Sequence, residues 1–163
     1  MSAGATGSHA GSGAVGSGAV GTRQPRSVLV PVGAFVAWTL FVWIGRIRNV
    51  TADAALSGAD RWGPLAMSIV FVIGAVVVAA LAYRDHVVAS ASSAGALRDA
   101  VWVVAGYTTV VWVVRAGDIA LGGGHEPAFV VVHVVLAAAS IALGAWASVA
   151  CRRRSAHITS VKA

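Results

Sequence analysis

The chain has 163 residues, of which 58% are hydrophobic and only 11% charged, with a mean hydropathy of +0.80. An average soluble domain carries about 25% charged residues and about 45–50% apolar ones with glycine counted, whereas the 19 glycines here lie outside the 58%. So few charges cannot cover so much apolar surface in water, which excludes an ordinary soluble globule and makes lipid the solvent. A single cysteine, Cys151, excludes an internal disulfide, a CxxC redox pair and a Cys-rich metal site. Twelve basic residues against six acidic ones give a net charge of +6. Because Arg152, Arg153 and Arg154 adjoin a hydrophobic segment, that charge reads as membrane topology and not as a nucleic-acid surface.

Residues 1–27 form a Gly/Ala/Ser tract in which Gly11-Ser12-Gly13-Ala14-Val15 is repeated as Gly16-Ser17-Gly18-Ala19-Val20. It has too little apolar bulk to offset its ordering entropy and reads as a disordered tail. Four uncharged stretches follow, at 27–45, 62–83, 100–114 and 127–151. About 20 helical residues are needed to cross a hydrocarbon core about 30 Å thick. The second and fourth stretches suffice and the first nearly does. The third is long enough only if Arg115 and Asp118 are admitted, which places an ion pair at the membrane edge. The predicted spans are about 28–47, 63–83, 98–121 and 128–150, within a transmembrane domain over 28–151. A basic tail occupies 152–163. Pro31, Pro64 and Pro127 fall near span starts, where a missing N–H costs little. Gly58, Gly63 and Gly122-Gly123-Gly124 mark turns. The expected fold class is all-α: a four-helix transmembrane bundle, up-down-up-down. A cleaved signal peptide is disfavoured, because Arg46 and Arg48 interrupt the approach to Ala52-Asp53-Ala54.

Eight Lys and Arg residues fall on the side of the termini and four on the other. The positive-inside rule therefore predicts that both termini are cytoplasmic. Arg46, Arg48 and Arg115 then lie on the outer side, against the rule, and require a local reason.

Trp38-Thr39-Leu40-Phe41-Val42-Trp43-Ile44-Gly45-Arg46-Ile47-Arg48-Asn49-Val50 aligns at one fixed offset with Tyr107-Thr108-Thr109-Val110-Val111-Trp112-Val113-Val114-Arg115-Ala116-Gly117-Asp118-Ile119. Thr, Trp and Arg coincide, and Asn49 lies over Asp118. Two duplicated helical hairpins, related by a pseudo-twofold axis along the membrane normal, are the inference. Thr, Trp and Arg at i, i+4 and i+7 share a helix face. With His133, which lies within the fourth span, the candidate polar or anion-binding site is Arg46, Asn49, Arg115, Asp118 and His133. Two readings stand: an interfacial anchor, with Asp118 compensating Arg115, or a site between the hairpins for an anionic headgroup or solute.

Other constellations are weak. Haem ligation by two histidines fails because His86 lies at the opposite end from His133. A metal set of His125, Glu126 and His133 would straddle the helix start at Pro127. Spans one, two and four hold no acid of the kind proton-coupled exporters use. No nucleophile–base pair or phosphate loop occurs, so no enzymatic activity and no cofactor are expected. Ser140, Gly144 and Ser148, at successive i+4 positions, are the candidate helix-packing residues. Cys151 reads as a small boundary residue, and Arg152, Arg153 and Arg154 as a grip on anionic membrane lipids. A homo-oligomer or a partner membrane protein is a further expectation.

Trp38-Thr39-Leu40-Phe41-Val42-Trp43-Ile44-Gly45-Arg46-Ile47-Arg48-Asn49, Trp112-Val113-Val114-Arg115 and Val132-His133-Val134-Val135-Leu136-Ala137 carry a resemblance over roughly 28–150. The chain resembles a family of small actinobacterial integral membrane proteins with four predicted helices and no assigned activity. The resemblance implies a plasma-membrane location and adds no mechanism. The expected role is structural or accessory, the alternative a small oligomeric transporter or channel for an anionic or polar solute.

Overall fold

The computed structural model describes residues 28–122, 124 and 126–162, with the side chains of residues 120, 159, 161 and 162 excepted. The predicted N-terminal tail, His125 and Gly123 lie outside the described residues. Four α-helices follow one another: α1 Leu29–Ala52, α2 Gly58–Val88, α3 Ala91–Leu121 and α4 Pro127–Lys162. All four are long and apolar enough to cross a membrane. Helices suit that environment because they satisfy their backbone N–H and C=O groups within the segment.

The helix ends explain the topology. Pro31 sits at the third position of α1 and Pro127 opens α4, where a missing N–H is harmless. Pro64 lies further in, at the seventh position of α2. Beyond α1, Arg61 reaches back from α2, donating from Nη2 to the carbonyl of Asp53 at 2.8 Å and from Nε to that of Leu56 at 3.1 Å. This supplies the local reason for one basic residue on the side of the bundle that carries few. Gly58 enters α2 at φ +52°, a left-handed conformation that glycine adopts without a Cβ penalty.

The connection expected over 84–97 is far shorter. α2 runs on to Val88, Ala89 takes φ 47°, and Ser90 caps α3. The Ser90 hydroxyl accepts from the Ser93 N–H and the Ser93 hydroxyl from the Ser90 N–H, both at 3.1 Å. This reciprocal box turns the chain within two residues. Similarly, α4 continues through the expected basic tail to Lys162.

Each helix packs on its neighbour in the chain, and α4 closes the ring against α1. The offset that places Trp38 over Tyr107, 69 residues, then extends to the connections and inner faces of both hairpins. It carries the α1 end Ala52 to the α3 end Leu121, and the α2 start Gly58 to the α4 start Pro127. Buried Val28, Val32, Thr39, Trp43 and Val50 become Leu97, Val101, Thr108, Trp112 and Ile119, all buried. Buried Ser68, Phe71, Ala75, Val78, Ala82 and Asp85 become Ala137, Ser140, Gly144, Ala147, Cys151 and Arg154. Contacts repeat as well. Tyr107 stacks on Phe71 at 4.9 Å between ring centroids, and at the equivalent place the Trp38 Nε1 donates to the Ser140 hydroxyl at 2.9 Å.

Candidate functional site

At the end of the bundle where α1 meets α2 and α3 meets α4, the residues singled out from sequence are only partly gathered. Arg46 is half-buried and lies within electrostatic range of Arg115, so two like charges on equivalent helices face a shared region. Asn49, Arg115 and Asp118 are exposed. Arg115 and Asp118 form no ion pair with each other; among the described residues the ion pairs are Arg98–Asp99 and Arg154–Asp85. On α4, His133 Nδ1 donates to the carbonyl of Phe129 at 2.9 Å, and its ring lies 4.0 Å from the Phe129 ring. One imidazole nitrogen is thus bonded to its own helix. Glu126 is exposed, and among the described residues no three His, Cys, Asp or Glu side chains come together as metal ligands would.

The middle of the bundle is a seam of rings and self-satisfied hydroxyls. Trp43 lies flat on Phe71, with centroids 4.0 Å apart and planes 7° from parallel. The Thr39 hydroxyl donates to the carbonyl of Phe35 at 2.8 Å and that of Thr108 to Val104 at 2.7 Å. Both side chains are buried, at 4% and 2% exposure. A hydroxyl spent on the preceding turn of its own helix offers little to a passing solute. Ser140, Gly144 and Ser148 are all buried on α4. A Cβ on Gly144 would stand 3.1 Å from the Ala105 Cβ and 3.4 Å from the Phe35 Cε2, so the missing carbon brings α4 slightly closer to α1 and α3 than an alanine would allow. The Ser140 hydroxyl, besides accepting from Trp38, donates to the carbonyl of Leu136 at 2.7 Å. On α3, the buried Trp112 Nε1 has no acceptor.

The opposite end holds a polar centre that the sequence reading passed over. Asp85, 3% exposed, places Oδ2 2.6 Å from the Nε of Arg154. The contact is an ion pair and not an aligned hydrogen bond, for the Arg154 Nε–H points at no acceptor. The Ser93 hydroxyl reaches the other carboxylate oxygen at 3.0 Å and the Ser90 carbonyl at 2.9 Å. It carries one proton, and the charged oxygen is the stronger acceptor. The predicted span ending at 83 leaves Asp85 outside the membrane domain's helices, and Arg154 belongs to the expected headgroup grip. Because both helices continue past the expected boundaries, the pair is buried instead, and of the three consecutive arginines only Arg152 and Arg153 face outward. A signal was present: the buried spacing Ser68, Phe71, Ala75, Val78, Ala82 reaches Asp85 at the next step.

The chain matches no protein-family model, no curated protein and no solved structure.

Proposed function

We propose that the chain is a multi-pass protein of the plasma membrane, with both termini cytoplasmic and a structural or accessory role. One observation carries this reading. Thr39 and Thr108, the hydroxyls that would line a path through the bundle, are buried and bonded to their own helices. Around them the seam is filled by Phe35, Trp43 and Phe71. A transporter for an anionic solute, using Arg46, Asn49, Arg115, Asp118 and His133, draws support from a single fact. Arg46 and Arg115 lie within electrostatic range of each other, and an anion between them would relieve their repulsion.

Cysteine accessibility decides between these readings. In a Cys151→Ser background, Thr39→Cys and Thr108→Cys in native vesicles are expected to resist a membrane-impermeant thiol reagent that labels Ala55→Cys in the first connection. Labelling of positions 39 and 108 at the rate of position 55 would establish an aqueous path and reverse the choice. Ala55→Cys should also label from outside in intact cells. Labelling only after permeabilisation would invert the topology.

A further inference from the structure

We propose that a groove between α3 and α4 seats one acyl chain of an anionic glycerophospholipid, with its phosphate at Arg152. The groove has a volume of about 280 Å³ and is lined chiefly by Trp102, Ala105, Gly106 and Thr109 of α3 and by Ala145 and Arg152 of α4. Ala105, Gly106 and Ala145 leave the gap because none has a side chain longer than a methyl group. The wall is chemically apolar even where it carries hydroxyls. Thr109 donates to the carbonyl of Ala105 at 2.9 Å, and Ser148 to that of Gly144 at 2.8 Å. Inside the groove only methylene-like matter is matched.

One end differs. The Arg152 guanidinium carbon lies 4.1 Å above the centroid of the Trp102 ring. Stacking fixes the plane of the guanidinium while leaving its N–H edges free for oxyanions. The nearby acids are engaged elsewhere, Asp85 by Arg154 and Asp99 by Arg98. Arg152 therefore presents a cation with no carboxylate partner among the described residues, and exposed Arg153 adds a second charge beside it.

The dimensions favour a lipid. From Arg152 to Ile141, both of which line the groove, is about 16 Å of helix at about 1.5 Å per residue. That is half of a hydrocarbon core about 30 Å thick, the depth of one leaflet. Trp102 is one turn from the Arg98–Asp99 pair, at the level where indoles meet headgroups. The groove is also not a by-product of the hairpin architecture. Sixty-nine residues earlier, Gly33 and Tyr83 stand where the second hairpin has Trp102 and Arg152, so the first hairpin has neither the indole nor the charge. The inference requires only that the chain lies in a bilayer and holds under either functional reading.

The test uses the full chain in a neutral detergent, with phosphatidylglycerol and phosphatidylcholine of identical acyl chains added back and retention read by native mass spectrometry. One basic residue near a headgroup should favour phosphatidylglycerol by about fivefold. Arg152→Gln should abolish that preference with the thermal midpoint unchanged, and Arg153→Gln should keep most of it. Ala145→Leu, which fills the groove, should lower retention of both lipids. Equal retention of the two lipids by the unaltered chain would overturn the proposal. So would a preference that survives Arg152→Gln, or one lost as fully in Arg153→Gln. Dimers in place of lipid adducts, dispersed by Ala145→Leu, would assign the groove to a second copy of the chain and overturn it too.

Discussion

At the scale of single residues, the Asp85–Arg154 pair dominates the energetics of its end of the bundle. The side chains are 4% and 12% exposed, so removing either leaves the other as an uncompensated buried charge, at a cost of about 3–5 kcal/mol. Replacing both by apolar residues of similar volume removes that penalty. Asp85→Ala and Arg154→Ala are each expected to lower unfolding free energy in detergent by about 3 kcal/mol or more, while Asp85→Leu with Arg154→Met recovers most of the loss. Single variants within about 0.5 kcal/mol of the parent would show the pair to be solvated. Sequence reading missed this pair because an apolar stretch was closed at its first charge, Arg84. A helix has no such rule: its inward stripe continues at three- and four-residue steps until the hydrogen-bond ladder stops. Arg46 and Arg115 were legible for the converse reason, since both lie on the copied Thr–Trp–Arg face.

At the scale of elements, spans can be read from composition but ends cannot. Bilayer thickness sets how many apolar residues are needed; the second, third and fourth predicted spans lie within α2, α3 and α4, and the first begins at 28, one residue ahead of α1. Where each helix ends depends on capping, which is local. The α2–α3 turn is a case in point, because Ala89 and Ser90 do what sequence reading assigned to a much longer loop. Ala89 terminates α2 at φ 47° and ψ 42°, with its N–H bonded to the Asp85 carbonyl at 3.0 Å. Left-handed backbone disfavours alanine relative to glycine. Ala89 is exposed, so its methyl contributes little burial. Setting a left-handed cost of about 1–2 kcal/mol against the about 0.5–1 kcal/mol that glycine loses in conformational entropy, Ala89→Gly is expected to stabilise the protein by up to about 1 kcal/mol, read as a shift in its denaturant midpoint. A loss of stability would mean that the turn relaxes to another conformation in the bilayer.

At the scale of the molecule, the duplication was visible in α1 and α3 but not in α2 and α4. Alignment by residue type fails there, because Phe71 corresponds to Ser140 and Ala75 to Gly144. Only burial shows that these positions play the same part. At Gly144, where Ala75 stands in the first hairpin, an added Cβ would crowd Ala105 and Phe35, so α4 packs tightly where it meets α1 and α3. Gly144→Leu is expected to destabilise the bundle by about 1–3 kcal/mol through overpacking, and Gly144→Ala by less, since a lone methyl would need only a small retreat of Ala105. Thermal denaturation followed by circular dichroism in detergent would report both, and equal stability of parent and leucine variant would show that α4 is free to slide.

The ion pair joins positions that the repeat makes equivalent, 85 and 154, so its members are opposite in sign where duplication alone would make them identical. Two copies of the first hairpin, brought together as the halves of one chain are, would bury carboxylate against carboxylate. Two copies of the second would bury guanidinium against guanidinium. Only unlike halves neutralise each other. During assembly, this one inequality favours the union of a first hairpin with a second over the union of two like hairpins.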